Sequence, residues 1–210
     1  EELSALANFT KRHDLLLVSD EIHHDLVYPG QRHMPMAMAD PDVSERLVML
    51  TAPSKTFKIA GLHTGNVIIP DPALREKFTK RLATISLAGN SLGQIALLSA
   101  YSPEGAAWVD ELMVYLDGNR KLLDETINAI PGVTSMPLGS TYLSWVDFSG
   151  TGMTPREFLD RVEKTARIAV NHGSSFGKGG ELCARFNFAT PRSRIEEACS
   201  RLRNAFSDLQ

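Results

Sequence analysis

The sequence predicts an α/β protein, and three observations carry that reading. Short apolar runs at residues 15–18 and 47–50, each ending in a cluster of polar residues, have the length and composition of parallel strands buried on both faces. One long helical pattern then runs from Ser102-Pro103 to Ile130. Beyond it, strand and helix patterns follow in the order strand, helix, strand, strand, helix, which reads as a small α/β domain on the end of a larger sheet domain. The 210 residues suit this size, at roughly 1.4 domains of about 150 residues. Against 25 Asp and Glu stand 22 Lys and Arg, a net charge of −3, so nothing draws the chain electrostatically to nucleic acid or an anionic membrane. Cys183 and Cys199 are too few for a disulfide scaffold or, alone, a zinc cluster. With no apolar run near the roughly 18 residues of a membrane helix and no signal-peptide pattern, the expectation is a soluble, cytoplasmic globular protein.

The elements follow in order. Leu3, Leu6, Ala7 and Phe9 keep near-helical spacing between Glu1 and His13. The first strand run ends at Ser19-Asp20-Glu21 and the second at Thr51-Ala52-Pro53-Ser54-Lys55; a third candidate, 65–69, stops at Pro70-Asp71-Pro72. Pro103 begins the long helix and Pro131-Gly132 follows its end. Thr154 and Glu157 form a capping box, and Ser193 with Glu196 forms a second, after which Ile195, Ala198, Leu202 and Phe206 share a face. Strands are expected at 141–148, 167–170 and 182–188.

Ligands of open α/β sheets bind beyond the carboxyl ends of strands, where Asp20 and Lys55 both fall. An amine set among apolar neighbours gives up its charged form more readily and becomes a nucleophile. Lys55, beside Phe57 and the apolar stretch 59–62, fits that pattern, although its spacing alone fits a solvated loop lysine better. Asp20 alone serves equally as a helix cap. In 182–188, Leu182, Ala184, Phe186 and Phe188 alternate onto one face and leave Cys183, Arg185 and Asn187 on the other. The fork of an arginine there suits a planar carboxylate, while an ordinary edge-strand arginine facing solvent fits the pattern as well.

Together the residues resemble a known family. Ser19-Asp20-Glu21-Ile22-His23, the 35-residue step from Asp20 to Lys55, and Ala52-Pro53-Ser54-Lys55-Thr56-Phe57 resemble the pyridoxal-phosphate-dependent class I/II aminotransferases. Within them the chain looks most like the cystathionine β-lyase-like MalY/PatB branch. Ser140-Thr141-Tyr142-Leu143-Ser144-Trp145 and Ala184-Arg185-Phe186-Asn187 extend the likeness, in order, over essentially the whole chain. The resemblance implies the C-terminal part of a fold type I enzyme. Residues 1–105 would be the last strands of the large cofactor-binding domain, and 106–210 the interdomain helix and small domain. It implies pyridoxal 5'-phosphate as cofactor, an amino acid as substrate and a homodimer as assembly. Lys55 matches the lysine that holds the cofactor as a Schiff base and moves the substrate Cα proton. Asp20 matches the carboxylate paired with the pyridine nitrogen, and Arg185 the arginine that binds the substrate carboxylate. His23 falls where the family places a group near the ring's phenolic oxygen, with an ordinary packed histidine as the equal alternative. Ser54 is placed to reach the cofactor phosphate, and no role falls to His24. The activity implied is carbon–sulfur β-lysis, with transamination through the same lysine as the alternative.

The chain also departs from its relatives. Ala52 and His63 stand where aspartate aminotransferases carry a serine and an arginine on the phosphate, and Lys58 where the lyase branch commonly has Asn. Only 19 residues precede Asp20, whereas relatives carry a Gly-rich phosphate loop, a stacking aromatic and an asparagine ahead of that position. The expectation is therefore a piece of a longer enzyme, or a chain lacking part of its cofactor site. Asp20-Glu21-Ile22-His23 after an apolar run also has the form of a helicase DExH box, a remote alternative as a nucleotide hydrolase fragment. The slightly acidic charge argues against it, as does Gly173-Ser174-Ser175-Phe176-Gly177-Lys178-Gly179, which is too short for a nucleotide loop and lacks its hydroxyl. His13, His23, His24 and Asp25 lack a metalloprotease spacing, so no metal site is expected.

Overall fold

Helical spacing at the start of the chain becomes helix α1, Glu2–Arg12, with Glu2 in its first turn and Lys11 and Arg12 in its last, as the helix dipole favours. In this computed structural model, which describes residues 1–209, the chain divides into two compact units, Glu1–Glu111 and Leu112 onward. The first continues through β1 (Leu17–Asp20), the single helical turn α2 (Met36–Ala39), β2 (Leu47–Thr51), the turn α3 (Pro53–Thr56) and β3 (Asn66–Ile68). Helices α4 (Pro72–Thr84) and α5 (Ser91–Ala100) follow, then the long α6 (Pro103–Asn128), within which the division between the units falls. β1 and β2 run parallel, with Leu17 opposite Leu47 and Asp20 opposite Leu50. Ala7, Leu17, Met36, Val43 and Leu47 close the core between this sheet and α1.

Two sequence expectations change here. Leu15 and Leu16 lie ahead of the strand, which begins at Leu17. β1 is buried on one face only: Leu17 is in the core, while Val18, on the opposite side of the pleat, is 61% exposed. The third strand pairs antiparallel to β2, with Leu50 opposite Val67. Asp71, read as part of a strand stop, is also the N-cap of α4, its carboxylate accepting from the Leu74 amide at 2.6 Å.

The second unit is an antiparallel sheet in the order β4 (Thr134–Ser135), β5 (Leu143–Asp147), β7 (Cys183–Asn187), β6 (Asn171–His172). Helix α7 (Pro155–Asp160) opens on the expected Thr154 cap and runs into a π-helical turn over Arg161–Thr165. Helix α8 (Arg192–Ala205) closes the chain, burying Ile195, Cys199 and Leu202. Residues 167–170 are not a strand: Arg167 takes a left-handed φ of 54°, and the strand forms at Asn171–His172 instead. Nor does Ser193 cap α8. The helix starts two residues earlier than that cap implies, at Arg192 with Pro191 as N-cap and no side-chain cap, where the Arg192 guanidinium binds the Asn119 side chain and the Tyr115 carbonyl. Buried Asn119 in turn donates to the Phe188 and Thr190 carbonyls at 3.0 and 2.9 Å, fixing the chain as it leaves β7. Among the described residues no helix is long and apolar enough to cross a membrane.

Candidate active site

Parallel strands deliver their C-terminal residues to one edge of the sheet. Asp20 is the last residue of β1, and Glu21 extends the ladder one step by donating its amide to the Leu50 carbonyl at 2.8 Å. From Thr51 the partner strand turns at Ala52 into α3, where Pro53 is pre-set for a first helical position and Ser54 and Lys55 lie half-buried. A carboxylate and a primary amine thus leave neighbouring strands at the same end. Asp20 is exposed, and its Oδ1 accepts from the Ile22 amide at 3.3 Å. His23 sits half-buried in the tight turn at residues 22–25.

Around this strand end lies a set of polar residues to which no role falls from sequence. Glu21 is 7% exposed, yet its carboxylate accepts from Ser19 Oγ at 2.9 Å, the Met36 amide at 3.0 Å and His33 Nε2 at 2.7 Å. Burial pushes its pKa up, but these hydrogen bonds outweigh it and hold the carboxyl below its usual range. Because residues 22–25 turn and are not extended, His24 folds back on its own segment. Its Nδ1 donates to the Glu21 carbonyl at 2.8 Å, and its Nε2 faces Asp25 Oδ1 at 3.1 Å. Two oxygen acceptors call for two N–H donors, so the geometry selects the imidazolium. The hydrogen bond to Asp25 raises the His24 pKa against the opposing effect of burial, and the same bond lowers that of Asp25. Asp25 Oδ2 accepts from the fully buried Thr56 hydroxyl at 2.9 Å. Thr56 is the neighbour of Lys55. Sequence reading misses this set because Asp25 and Thr56 are 31 positions apart; the one local signal is the density of titratable residues at 20–25.

Arg185 belongs to the second unit, in the centre of β7, opposite Trp145 of β5 and Asn171 of β6. The expected alternation holds for Ala184, Phe186 and Phe188, all buried, although Cys183 on the other face is buried too. The Arg185 guanidinium lies 4.7 Å over the Phe176 ring and donates to Asn171 Oδ1 at 3.1 Å. Its Nε is buried without a hydrogen-bond partner, the one such side-chain nitrogen or oxygen among the described residues. An unpaired buried donor on a cation is costly, and an anion accepting from it removes that cost. Phe176 is carried by the glycine-rich loop weighed above as a nucleotide loop. There the backbones of Gly173 and Gly180 approach so closely that a Cβ on either would strike the other's carbonyl oxygen. Phe176 and Asn171, which sequence reading passed over, are the residues that hold the Arg185 guanidinium.

The residues that depart from relatives also have definite conformations. Ala52 is extended ahead of α3, whereas Lys58 and His63 are left-handed, with φ of 57° and 45°. Position 58 thus demands the conformation that Asn tolerates better than Lys. Among the described residues no group of His, Cys, Asp and Glu is arranged to hold a metal ion.

A family model described as aminotransferase class I and II matches residues 1–202. Cystathionine beta-lyase PatB of Bacillus subtilis is 35% identical over 209 residues, covering 99% of this chain and 54% of that protein. Aspartate aminotransferase of Pyrococcus abyssi is 31% identical over 204 residues, covering 96% of this chain and 51% of that protein. Among solved structures, cystalysin of Treponema denticola, which contains a pyridoxal 5'-phosphate cofactor, superposes with a TM-score of 0.92 at 35% identity, over 100% of this chain and 53% of that one. The chain spans about half the length of the curated relatives it matches.

Proposed function

The chain belongs to the class I and II aminotransferase family, and from that premise we propose that it is part of a pyridoxal 5'-phosphate enzyme that breaks the carbon–sulfur bond of a β-thio-substituted amino acid. The observation that carries the reading is the delivery of Asp20 and Lys55 to one end of two adjacent parallel strands. In this reading residues 1–105 are the C-terminal part of the large cofactor-binding domain, and 106–210 the interdomain helix and small domain.

The donor set fits the cofactor. Lys55 supplies a primary amine for its aldehyde, Asp20 a carboxylate for its ring nitrogen, and the orphaned Nε of Arg185 a cationic donor for a substrate carboxylate. His23 and Ser54, at the two strand ends, are assigned to the ring's phenolic oxygen and to the phosphate. Bound pyridoxal phosphate supplies an electron sink for the pair left at the substrate α-carbon. Lys55 Nζ would hold the cofactor through its aldehyde and would serve as the base for the substrate α proton. The Asp20 carboxylate would hold a proton on the ring nitrogen. Arg185 binds the α-carboxylate through its fork, which sets the α-carbon's orientation. Loss of the α proton and the β-thiol, followed by uptake of water, yields a thiol, pyruvate and ammonia.

The likeness to aspartate aminotransferase of Pyrococcus abyssi favours a second reading, transamination through the same lysine. Pyruvate released from cystathionine without an added keto acid supports lysis; dependence on a keto acid supports transamination. The first experiment is an absorbance spectrum of the full-length enzyme after incubation with pyridoxal phosphate and dialysis, beside Lys55→Ala. A retained visible band that Lys55→Ala loses supports the cofactor role, and no bound chromophore overturns it. The assembly proposed is a homodimer in the cytoplasm, and the exposed apolar stripe of Leu92, Ile95 and Leu98 on α5 supports the dimer. A monomer in light scattering would overturn that part alone.

A further inference from the structure

A four-residue helix has no stability of its own, because nucleating a turn fixes several dihedrals for a single hydrogen bond. α3 is such a helix, closed by one bond from the Phe57 amide to the Pro53 carbonyl at 2.8 Å, and it carries Lys55. Its orientation is therefore set by what anchors its two buried residues, Pro53 through packing and Thr56 through its hydroxyl. Thr56 is fully buried, and its hydroxyl donates to Asp25 Oδ2. Asp25 Oδ1 is bound by His24 Nε2, His24 Nδ1 by the Glu21 carbonyl, and the Glu21 amide by the Leu50 carbonyl. From Leu50 the main chain runs on through Ala52 into α3, so the links close into a ring joining the ends of β1 and β2.

We infer that Asp25 is a positioning residue for Lys55, acting through the Thr56 hydroxyl to hold α3 in one orientation against the strand end that bears Asp20. The inference rests on the cofactor-lysine reading of Lys55 and assigns the orientation of that amine to a bond made by its neighbour. His24 keeps both Asp25 oxygens engaged, since its ring holds Oδ1 while the hydroxyl holds Oδ2. A displacement of about 1 Å at a reacting group is enough to cost on the order of a hundredfold in rate, so a loosened α3 has a measurable consequence.

The test compares Thr56→Val, Thr56→Ser and Asp25→Asn with the unaltered full-length enzyme. Three quantities are read: thermal melting by circular dichroism, acetylation of Lys55 by acetic anhydride relative to exposed Lys77, and the yield of pyridoxal phosphate trapped on Lys55 by cyanoborohydride. Thr56→Val is expected to melt cooperatively, to change Lys55 acetylation by about threefold or more and to cut the trapped yield about tenfold. Thr56→Ser, which keeps the hydroxyl, is expected to restore both to within about twofold. A folded Thr56→Val with both readings within about twofold of the unaltered enzyme overturns the inference, as does failure of Thr56→Ser to restore them. Should Thr56→Val fail to fold, Asp25→Asn decides: labelling changed by about threefold supports the role and unchanged labelling overturns it. If the unaltered enzyme traps no cofactor on Lys55, the cofactor reading falls, and the acetylation ratios still decide whether Asp25 positions the amine.

Discussion

Each unit has an apolar core, but the two position their candidate residues by different forces. The second has an aromatic interior in which Phe148 stacks on Phe158 with ring centres 4.6 Å apart and meets Phe206 at 5.8 Å, all three essentially inaccessible. Its arginine sits on a central strand, paired on both sides along the ladder. The first unit places its lysine on a four-residue turn after a five-residue strand and surrounds the strand ends with buried or half-buried Glu21, His24, Asp25, His33 and Thr56. Packing is non-directional and tolerates small shifts, whereas hydrogen bonds between charged groups hold one geometry. Where an amine must be aimed and its element is too short to aim it, directional bonds replace packing.

The predictions sharpen that contrast, and the largest effect belongs to the amine. Lys55→Ala should lower pyruvate release by about 10²–10⁴-fold while leaving the melting transition intact; a variant that keeps activity would remove Lys55 from the chemistry. Phe148→Ala should act in the opposite way. It costs about 3–5 kcal/mol in a denaturant titration through the cavity left between Phe158 and Phe206, and a loss under about 1 kcal/mol would show that packing does not dominate the second unit. Arg185→Lys, which gives up the planar fork and the stack on Phe176, should raise KM about tenfold with a smaller effect on kcat.

A smaller effect depends on pH. The His24 pKa is raised in the fold, so its contribution is complete below the unfolded value, about 6.5, and is lost as pH rises through the folded value. The Asp25 pKa is lowered, so its contribution is present above about 4 and is lost as pH falls through its folded value. The pair faces Glu21, His33 and Tyr101. The stability lost in His24→Gln, about 1 kcal/mol, should therefore be greatest between about pH 4 and 6.5 and shrink at alkaline pH. A pH-independent difference between the two proteins would contradict the ion pair. The smallest change is a gain: Lys58→Asn should stabilise by about 0.5–1 kcal/mol, because the site holds a φ of 57° that Asn adopts at lower cost. A fall in the denaturation midpoint would show that the Lys58 side chain contributes more than its backbone costs.

Asp20, Lys55 and Arg185 stood out through the family resemblance, since local pattern alone fits a helix cap, a solvated loop lysine and an edge-strand arginine as well. The long helix was legible from local pattern, its signals at Ser102-Pro103 and Pro131-Gly132 lying in the chain itself. The Asp25–Thr56 bond was not, since a carboxylate and a hydroxyl separated by 31 residues share no pattern until β1 and β2 pair. The expectation that β1 is buried on both faces failed because an apolar run records what residues tolerate, whereas burial depends on what packs against them, and Val18 is uncovered. The cap expected at Ser193 failed because Arg192, held by Asn119 and Tyr115 from far along the chain, starts the helix first.

The sequence by itself determined the α/β class and the order of most elements, because periodicity, turn residues and side-chain type are local properties. Tertiary structure alone decided that residues 22–25 turn, that His24 is clamped between the Glu21 carbonyl and Asp25, and that Thr56 joins the ends of two strands. It alone left Arg185 Nε buried and unpaired beside Phe176. Protonation, burial and strand register all depend on distant residues meeting, and no local pattern contains a meeting across the chain.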